Sequence, residues 1–256
     1  MTDMSDPGES NNVDEDATAD ADSRPAASST TSPVNFVHDS SADLFAAPNG
    51  SALIHACNCV GRWGSGIATV FRANYPAAFD IYASHCRYYN NNIRHHVIPN
   101  LEPEDSQEQP VRLVRLPLGT ALVISPQASD IALHGRRHWI VCLFVSRWYG
   151  ARADSEADIC RNVNAALRDL AQQLTELRIL AVTDTDWPRY LFSNRFCSGL
   201  FRVPWEVTSE LINEVGLNIT VCTNSEHRRP PQHRYANNSR RPSTRRIPFG
   251  PLAREW

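Results

Sequence analysis

Apolar and polar positions divide this chain into a patterned middle, residues 34–223, and two unpatterned ends. In the middle, short β-branched and apolar runs alternate with stretches whose apolar positions recur every three or four residues, the pattern of strands and helices packed in layers. Residues 34–37 (VNFV) read as a first strand and 53–57 (LIHAC) as a second. Residues 65–75 and 77–88 carry helical spacing and are divided by Pro76, a residue suited to a helix's first turn and not to its interior. Residues 120–125 (TALVIS) and 139–145 (WIVCLFV) are dense in apolar side chains, as strands covered on both faces are. From 155 to 177, Ile159, Val163, Ala166, Leu167, Leu170, Leu174 and Leu177 make one stripe of a long helix, with Asp154 or Ser155 placed to cap its start. Residues 205–215 predict a last helix and 218–222 a final strand. The stretch 90–117 holds Pro99, Pro103, Pro110 and Pro117 around a polar centre and is expected to be a surface excursion that interrupts the sheet order. No internal repeat is visible.

Composition changes this picture mainly at the ends. Residues 1–33 carry eight Asp or Glu against the single Arg24, with almost no large apolar side chains, so they cannot offset the entropy of ordering and are expected to be a disordered acidic arm. Residues 224–256 carry eight arginines against Glu226 and Glu255 without any periodic pattern, and read as a disordered basic tail. The ends thus hold −7 and +6, leaving −2 of the total −3 for a nearly neutral core at residues 34–223. The basic tail could reach nucleic acid, but Tyr235 is the only aromatic between Arg228 and Arg246, and a solvated tail is the plainer reading.

Every basic residue is arginine, which removes lysine Schiff-base chemistry. No run of 18 apolar residues exists and the start is acidic, so neither a membrane span nor a signal peptide is expected. The seven cysteines include no C-x-x-C pair, and Cys57, Cys59, Cys142 and Cys222 lie in apolar runs; reduced, buried thiols in a cytoplasmic or nuclear protein are expected.

Candidate chemistry concentrates in IHACNCVGRWGSGIA at 54–68. A buried strand leads into glycines and then into helical spacing, which places Gly64 and Gly66 at a strand-to-helix junction. There glycine can take φ > 0, let the backbone approach a ligand, and present unpaired helix-start N–H groups to an anion. The spacing fits neither a Walker loop, which needs Gly-Lys-Ser/Thr, nor G-x-G-x-x-G.

With ADLFAAPNG at 42–50, IHACNC and GSGIA within 54–68, YPAAFDIYASHC at 75–86, LGTALVISPQ at 118–127, HWIVCLF at 138–144 and SGLFRVPWEVT at 198–208, the chain resembles the macro domain, an ADP-ribose-binding fold. The resemblance is to its fungal branch of ADP-ribose 1''-phosphate phosphatases. It implies a three-layer α/β/α sandwich with a central mixed sheet. It also implies a small-molecule substrate, hydrolysis of a terminal phosphate formed in tRNA splicing, and no cofactor or metal.

Residue by residue, the resemblance gives Asp43 and Leu44 to the adenine end and Asn58 to the distal ribose. It gives Gly64, Ser65, Gly66 and Ile67 to the diphosphate through backbone N–H groups, and Ser198, Gly199, Leu200 and Phe201 to a second loop closing from the other side. His55 is the candidate catalytic residue, assisting an attacking water. On local pattern alone, Asp43 caps a turn, Asn58 organises a turn, and His55 is a core histidine. The family pattern has glycine where Ser65 and Arg202 stand and Asn where Cys197 stands. Arg202 is then either a charge for an extra phosphate or a β-carbon where the backbone needs freedom. These departures keep two alternatives open, a non-catalytic reader of ADP-ribose and a hydrolase of mono-ADP-ribosylated protein. Trp187, Pro188 and Arg189 also match the family, but eight residues separate Arg189 from Ser198 where about two are usual, which implies a local insertion or an accidental match. Of the remaining clusters, His55, Cys57 and Cys59 imitate a metal set without a fourth ligand at zinc spacing, His134 and His138 do not share a helix, and His95 and His96 read as surface residues.

Overall fold

The computed structural model describes residues 37–99 and 111–223. The expected acidic arm, basic tail and first three residues of the first strand lie outside them. Within them the elements run β1 (Val37–Ser40), a 3-10 turn (Leu44–Ala46), β2 (Ser51–Asn58), α1 (Ile67–Asn74), α2 (Pro76–Asn91), β3 (His95–Pro99) and β4 (Val111–Arg115). They continue with β5 (Ala121–Ile124), α3 (Ala128–His134), β6 (Trp139–Ser146), a 3-10 turn (Gly150–Arg152), α4 (Glu156–Leu180), β7 (Tyr190–Ser193), α5 (Trp205–Val215) and β8 (Ile219–Cys222). No helix among the described residues is long and apolar enough to cross a membrane.

Six strands form one sheet in the order β1-β8-β7-β2-β6-β5, parallel throughout except for the antiparallel pair β5 and β6. Side chains of a strand alternate between faces, and β2 uses both. Ala52 and Ile54 join Val141, Leu143 and the apolar stripe of α4 (Ile159, Val163, Leu167, Leu170), with Leu211 and Ile212 of α5, in one core. Leu53 and Cys57 join Ile140, Cys142, Phe144 and the inner residues of α1 and α2 (Phe71, Ala78, Tyr82) in the other. The mixed sheet is therefore the middle of three layers, and β6 is buried along its whole length because both faces are covered.

The local expectations mostly match the structure. Pro76 opens α2, and Ser155 caps α4 by accepting from the Asp158 N–H at 3.2 Å, while Asp154 instead accepts from the Arg147 N–H at 2.9 Å. The proline-rich stretch interrupts the sheet order as expected, but on either side of residues 100–110 it forms a separate antiparallel pair, β3 and β4, whose Ile98 and Val114 are buried while Val97 and Leu113 face outward. Besides β3, β4 and the short turn Gly150–Arg152, two elements were not anticipated, α3 and β7. The latter, paired between β2 and β8, fills the gap between Arg189 and Ser198.

His138 ties three segments together just ahead of β6. Its Nε2 donates to the Ala47 carbonyl at 2.8 Å, so its Nδ1 accepts from the Tyr75 hydroxyl at 2.6 Å, which joins the turn after Asp43 to the α1–α2 junction. Burial holds this imidazole below its ordinary pKa, as burial also does for His85. Below a pH of about 6.5 the unfolded chain binds protons at these sites that the folded chain refuses, so stability should fall as pH drops from 7 to 5. Urea midpoints at pH 5, 6 and 7 should shift less in His138→Gln than in the native chain; equal shifts would remove His138 from the pH response.

Candidate functional site

All parallel strands end on one edge of the sheet, the edge at which open α/β sheets carry ligands. A cleft of about 570 Å³ opens there, over the ends of β7, β2 and β6. Its walls come from the loop between β2 and α1 (Gly64, Ser65, Gly66), from the first turns of α1 (Ile67, Ala68, Val70), from Tyr149 after β6, and from the loop after β7 (Asn194 to Cys197 and Gly199 to Phe201).

The first loop is built on Asn58, at a register irregularity that ends β2. Its Oδ1 accepts from the Val60 and Arg62 N–H groups at 3.0 and 3.4 Å, and its Nδ2 donates to the Arg62 carbonyl at 2.7 Å. The Tyr82 hydroxyl of α2 donates to the Asn58 carbonyl at 2.8 Å and lies 3.1 Å from Oδ1. Asn58 thus organises the turn, as the local pattern alone suggests, while also lining the cleft. Gly61 follows at φ 76°, where a β-carbon would lie 3.3 Å from Cys86 Cβ, and Trp63 is buried. Gly66 sits at φ 58°, ψ −144°, a conformation essentially confined to glycine, and starts α1. The first N–H groups of that helix, at Ile67 and Ala68, have no helical carbonyl to donate to, and both residues line the cleft. Ser65 stays outside the left-handed region, so its side chain is carried without strain.

The second loop reaches the first: a β-carbon on Gly66 would lie 3.7 Å from Leu200 Cδ1. Within it the Arg202 N–H donates to Gly199, the Val203 N–H to Cys197, and the Ser198 hydroxyl to the Arg195 carbonyl at 2.6 Å. Cys197 and Arg202 take φ of 68° and 59°, the only non-glycine residues at positive φ among those described. These are the two positions where the macro-domain pattern has Asn and Gly, the residue types that tolerate such angles. The backbone of the loop is kept while its side chains are less suited to it. Arg202 is exposed and outside the cleft lining, and its φ of 59° puts a β-carbon where the backbone favours glycine.

Several expected site residues lie elsewhere. His55 is fully buried, stacked on Phe71 with ring centroids 4.0 Å apart and edged by Trp63 at 4.8 Å. It leaves β2 on the face opposite Ala56, and Ala56 lines the cleft, so the structure does not bring the His55 ring to the reacting end. Leu44 is a core residue for the same reason of burial. Asp43 caps its 3-10 turn through the Phe45 N–H at 3.0 Å and stands beyond the cleft walls, towards β1 and β8. Ser198 braces its loop and does not line the cleft. His55, Cys57 and Cys142 do gather within 4.8 Å of one another, but inside the core, where burial pushes the Cys57 thiol up and keeps it protonated.

Sequence reasoning missed Arg62, Tyr149, Asn194 and Arg195. No Asp or Glu is among the described cleft residues, while two arginines are, Arg62 and Arg195. Arg195 lies 3.6 Å from Asp39 and over the Trp205 ring, and Arg62 donates to the Tyr149 hydroxyl at 3.4 Å. Asn194 is 6% exposed and its Oδ1 has no hydrogen-bond partner, an acceptor that a ligand hydroxyl would satisfy. Glycine signatures mark only backbone donors, so these side chains carried no motif.

A cleft between two loops at the carboxyl edge of a parallel sheet, with two arginines and no acid among its described residues, marks an α/β domain with a ligand cleft. No family model matches the chain. It is 46% identical over 179 residues to an ADP-ribose 1''-phosphate phosphatase of Aspergillus fumigatus, covering 70% of this chain and 90% of that protein. It is 33% identical over 168 residues to one of Debaryomyces hansenii, covering 64% and 82%. Among solved structures it is similar to the macrodomain of Mycobacterium tuberculosis DarG, with TM-score 0.48, 18% identity, and 73% and 97% of the two chains covered. The chain belongs to the macro-domain family, in the branch of fungal ADP-ribose 1''-phosphate phosphatases.

Two stability measurements follow from this geometry. Arg202→Gly should raise the unfolding free energy by about 1 kcal/mol by relieving the left-handed strain. His55→Ala should lower it by about 3 kcal/mol as a buried ring is lost from its stack. Urea unfolding reads both, and no loss in His55→Ala would contradict the packing role.

Proposed function

We propose that this chain hydrolyses ADP-ribose 1''-phosphate to ADP-ribose and phosphate, as the names of its relatives state for them. The observation that carries the reading is the acid-free cleft that the two loops line together, with Leu200 of one so near Gly66 of the other that a β-carbon there would touch it. A pyrophosphate bridging them would meet the N–H groups at the start of α1 from one side and those of Gly199 to Phe201 from the other. Asp43 would receive the adenine amino group towards β1, and the ring of Phe201 would flank the distal ribose.

The reaction breaks the bond between phosphorus and the anomeric oxygen as water adds to phosphorus. Phosphoryl transfer depends chiefly on positioning and on neutralising the equatorial oxygens, which amides and guanidinium groups supply. The leaving anomeric oxygen is a weaker base than an ordinary alkoxide, so it departs with less help from a general acid. That suits a cleft whose one expected imidazole, His55, is packed in the core. A lining of two guanidinium groups without carboxylates also suits an anion better than a hard divalent cation.

The burial of His55 equally favours a second reading, a module that binds ADP-ribose without turnover. The seven thiols, all free, support a reducing compartment, cytoplasm or nucleus, for either.

Phosphate release from ADP-ribose 1''-phosphate by the full chain, measured with a chelator present, separates the two. Turnover is expected, and Gly66→Ala should lower kcat/KM by about tenfold or more, equivalent to about 1.4 kcal/mol. Calorimetric binding of ADP-ribose with no phosphate released would establish the reader instead.

A further inference from the structure

The order of strands fixes the order of groups along the cleft. Asp43 follows β1 and stands at one end of the sheet edge; the bridging loops follow β7 and β2; Tyr149 follows β6, on the far side of β2 from β7. A ligand whose base lies towards β1 and whose pyrophosphate lies between the loops therefore directs its far end to β6. There Arg62 and Tyr149 meet across the lip.

Arg62 is held in place from both sides. The Asn58 side chain engages its N–H and its carbonyl, Gly61 before it lies against Ala83 and Cys86 of α2, and Trp63 after it is buried. Its backbone cannot swing, but its exposed side chain can. The loop of Tyr149 is likewise closed at its base, where Asp154 accepts from the Arg147 N–H at 2.9 Å and donates its own N–H to Ser146 Oγ at 3.0 Å. Among the described residues Arg62 has no ion-pair partner, and its side-chain hydrogen bond goes to a neutral hydroxyl. Arg195, at the β7 side, has a carboxylate, Asp39, 3.6 Å away. The guanidinium with the least to lose thus stands where the ligand ends.

Resting on the ADP-ribose 1''-phosphate reading, we propose that Arg62 recognises the terminal phosphate of the substrate, with Tyr149 as its positioning residue. The Arg62 guanidinium has five N–H donors, so one stays on the Tyr149 hydroxyl while others make charge-assisted hydrogen bonds to a dianion, and Tyr149 holds it over the lip in the bound state as well. Arg62 in this role makes the site selective for the phosphorylated ligand over ADP-ribose, which ends in a hydroxyl.

The test compares a non-hydrolysable phosphonate analogue of ADP-ribose 1''-phosphate with ADP-ribose by calorimetry on the full chain. The native protein should bind the phosphorylated ligand about 10- to 100-fold more tightly, the range expected for charge-assisted hydrogen bonds. Arg62→Gln should abolish that preference while changing ADP-ribose affinity by no more than about twofold, and Arg62→Lys should restore part of it. Tyr149→Phe should reduce the preference by about two- to fivefold, the scale of one neutral hydrogen bond. Equal losses for both ligands in Arg62→Gln, no loss for either, or a native protein that prefers neither ligand would each overturn the assignment. A native protein with the preference but no phosphate release would overturn the hydrolysis reading alone, and the ligand comparison would still decide Arg62.

Discussion

The close approach of two loops at Gly66 and Leu200 is the constraint on which the site depends. It depends on glycine at position 66, whose φ, ψ pair side chains avoid and which lets the chain turn from β2 into α1 beside the neighbouring loop. Moving the loops apart would leave the helix start facing water and the second loop without a partner across the ligand. Everything else in the region serves to hold this pair of turns. Asn58 spends its amide on the turn before Gly64, Tyr82 anchors Asn58 from α2, and Ser198 folds back on its own loop.

Strand parity then sorts the residues of β2 between chemistry and packing. Ala56 and Asn58 reach the cleft, while Leu53, His55 and Cys57 enter the aromatic core under α1 and α2. A histidine stacked 4.0 Å from Phe71 contributes dispersion and shape, and it leaves the cleft electrostatically simple: two arginines over a largely apolar lining, without carboxylates. Such a lining fits a ligand carrying several negative charges and leaves catalysis to positioning.

Much of the fold was legible because its elements announce themselves by period. The α4 stripe, the α5 boundaries and the two central strands follow from apolar spacing, and Pro76 marks the helix break. β7 escaped notice because it is four residues with only one buried, and β3 and β4 because prolines flank strands with exposed apolar residues. The glycine loop and its partner were legible as motifs, since backbone donors require special residues. The side chains at the lip were not, because Arg62 and Tyr149 meet across 87 positions of sequence and neither belongs to a pattern. The parity that removes His55 from the cleft could have been read directly: if Asn58 faces a ligand, the residue two before it does too, and His55 does not.

The second loop carries the clearest sign that geometry has outlasted the residues suited to it. Cys197 and Arg202 keep left-handed angles that Asn and Gly hold with less strain, and each such residue costs about 1–2 kcal/mol. That strain persists because both flanks are buried. Phe196 and Val203 are in the α4 and α5 core, and the Val203 N–H closes the loop onto the Cys197 carbonyl. The core thus offsets the loop's conformational cost, and Leu200 remains beside Gly66. A loop free to relax would lose the strain and the convergence together. Its retention in the strained form is what a site built on backbone donors requires, because their positions, unlike those of side chains, can be preserved only by preserving φ and ψ.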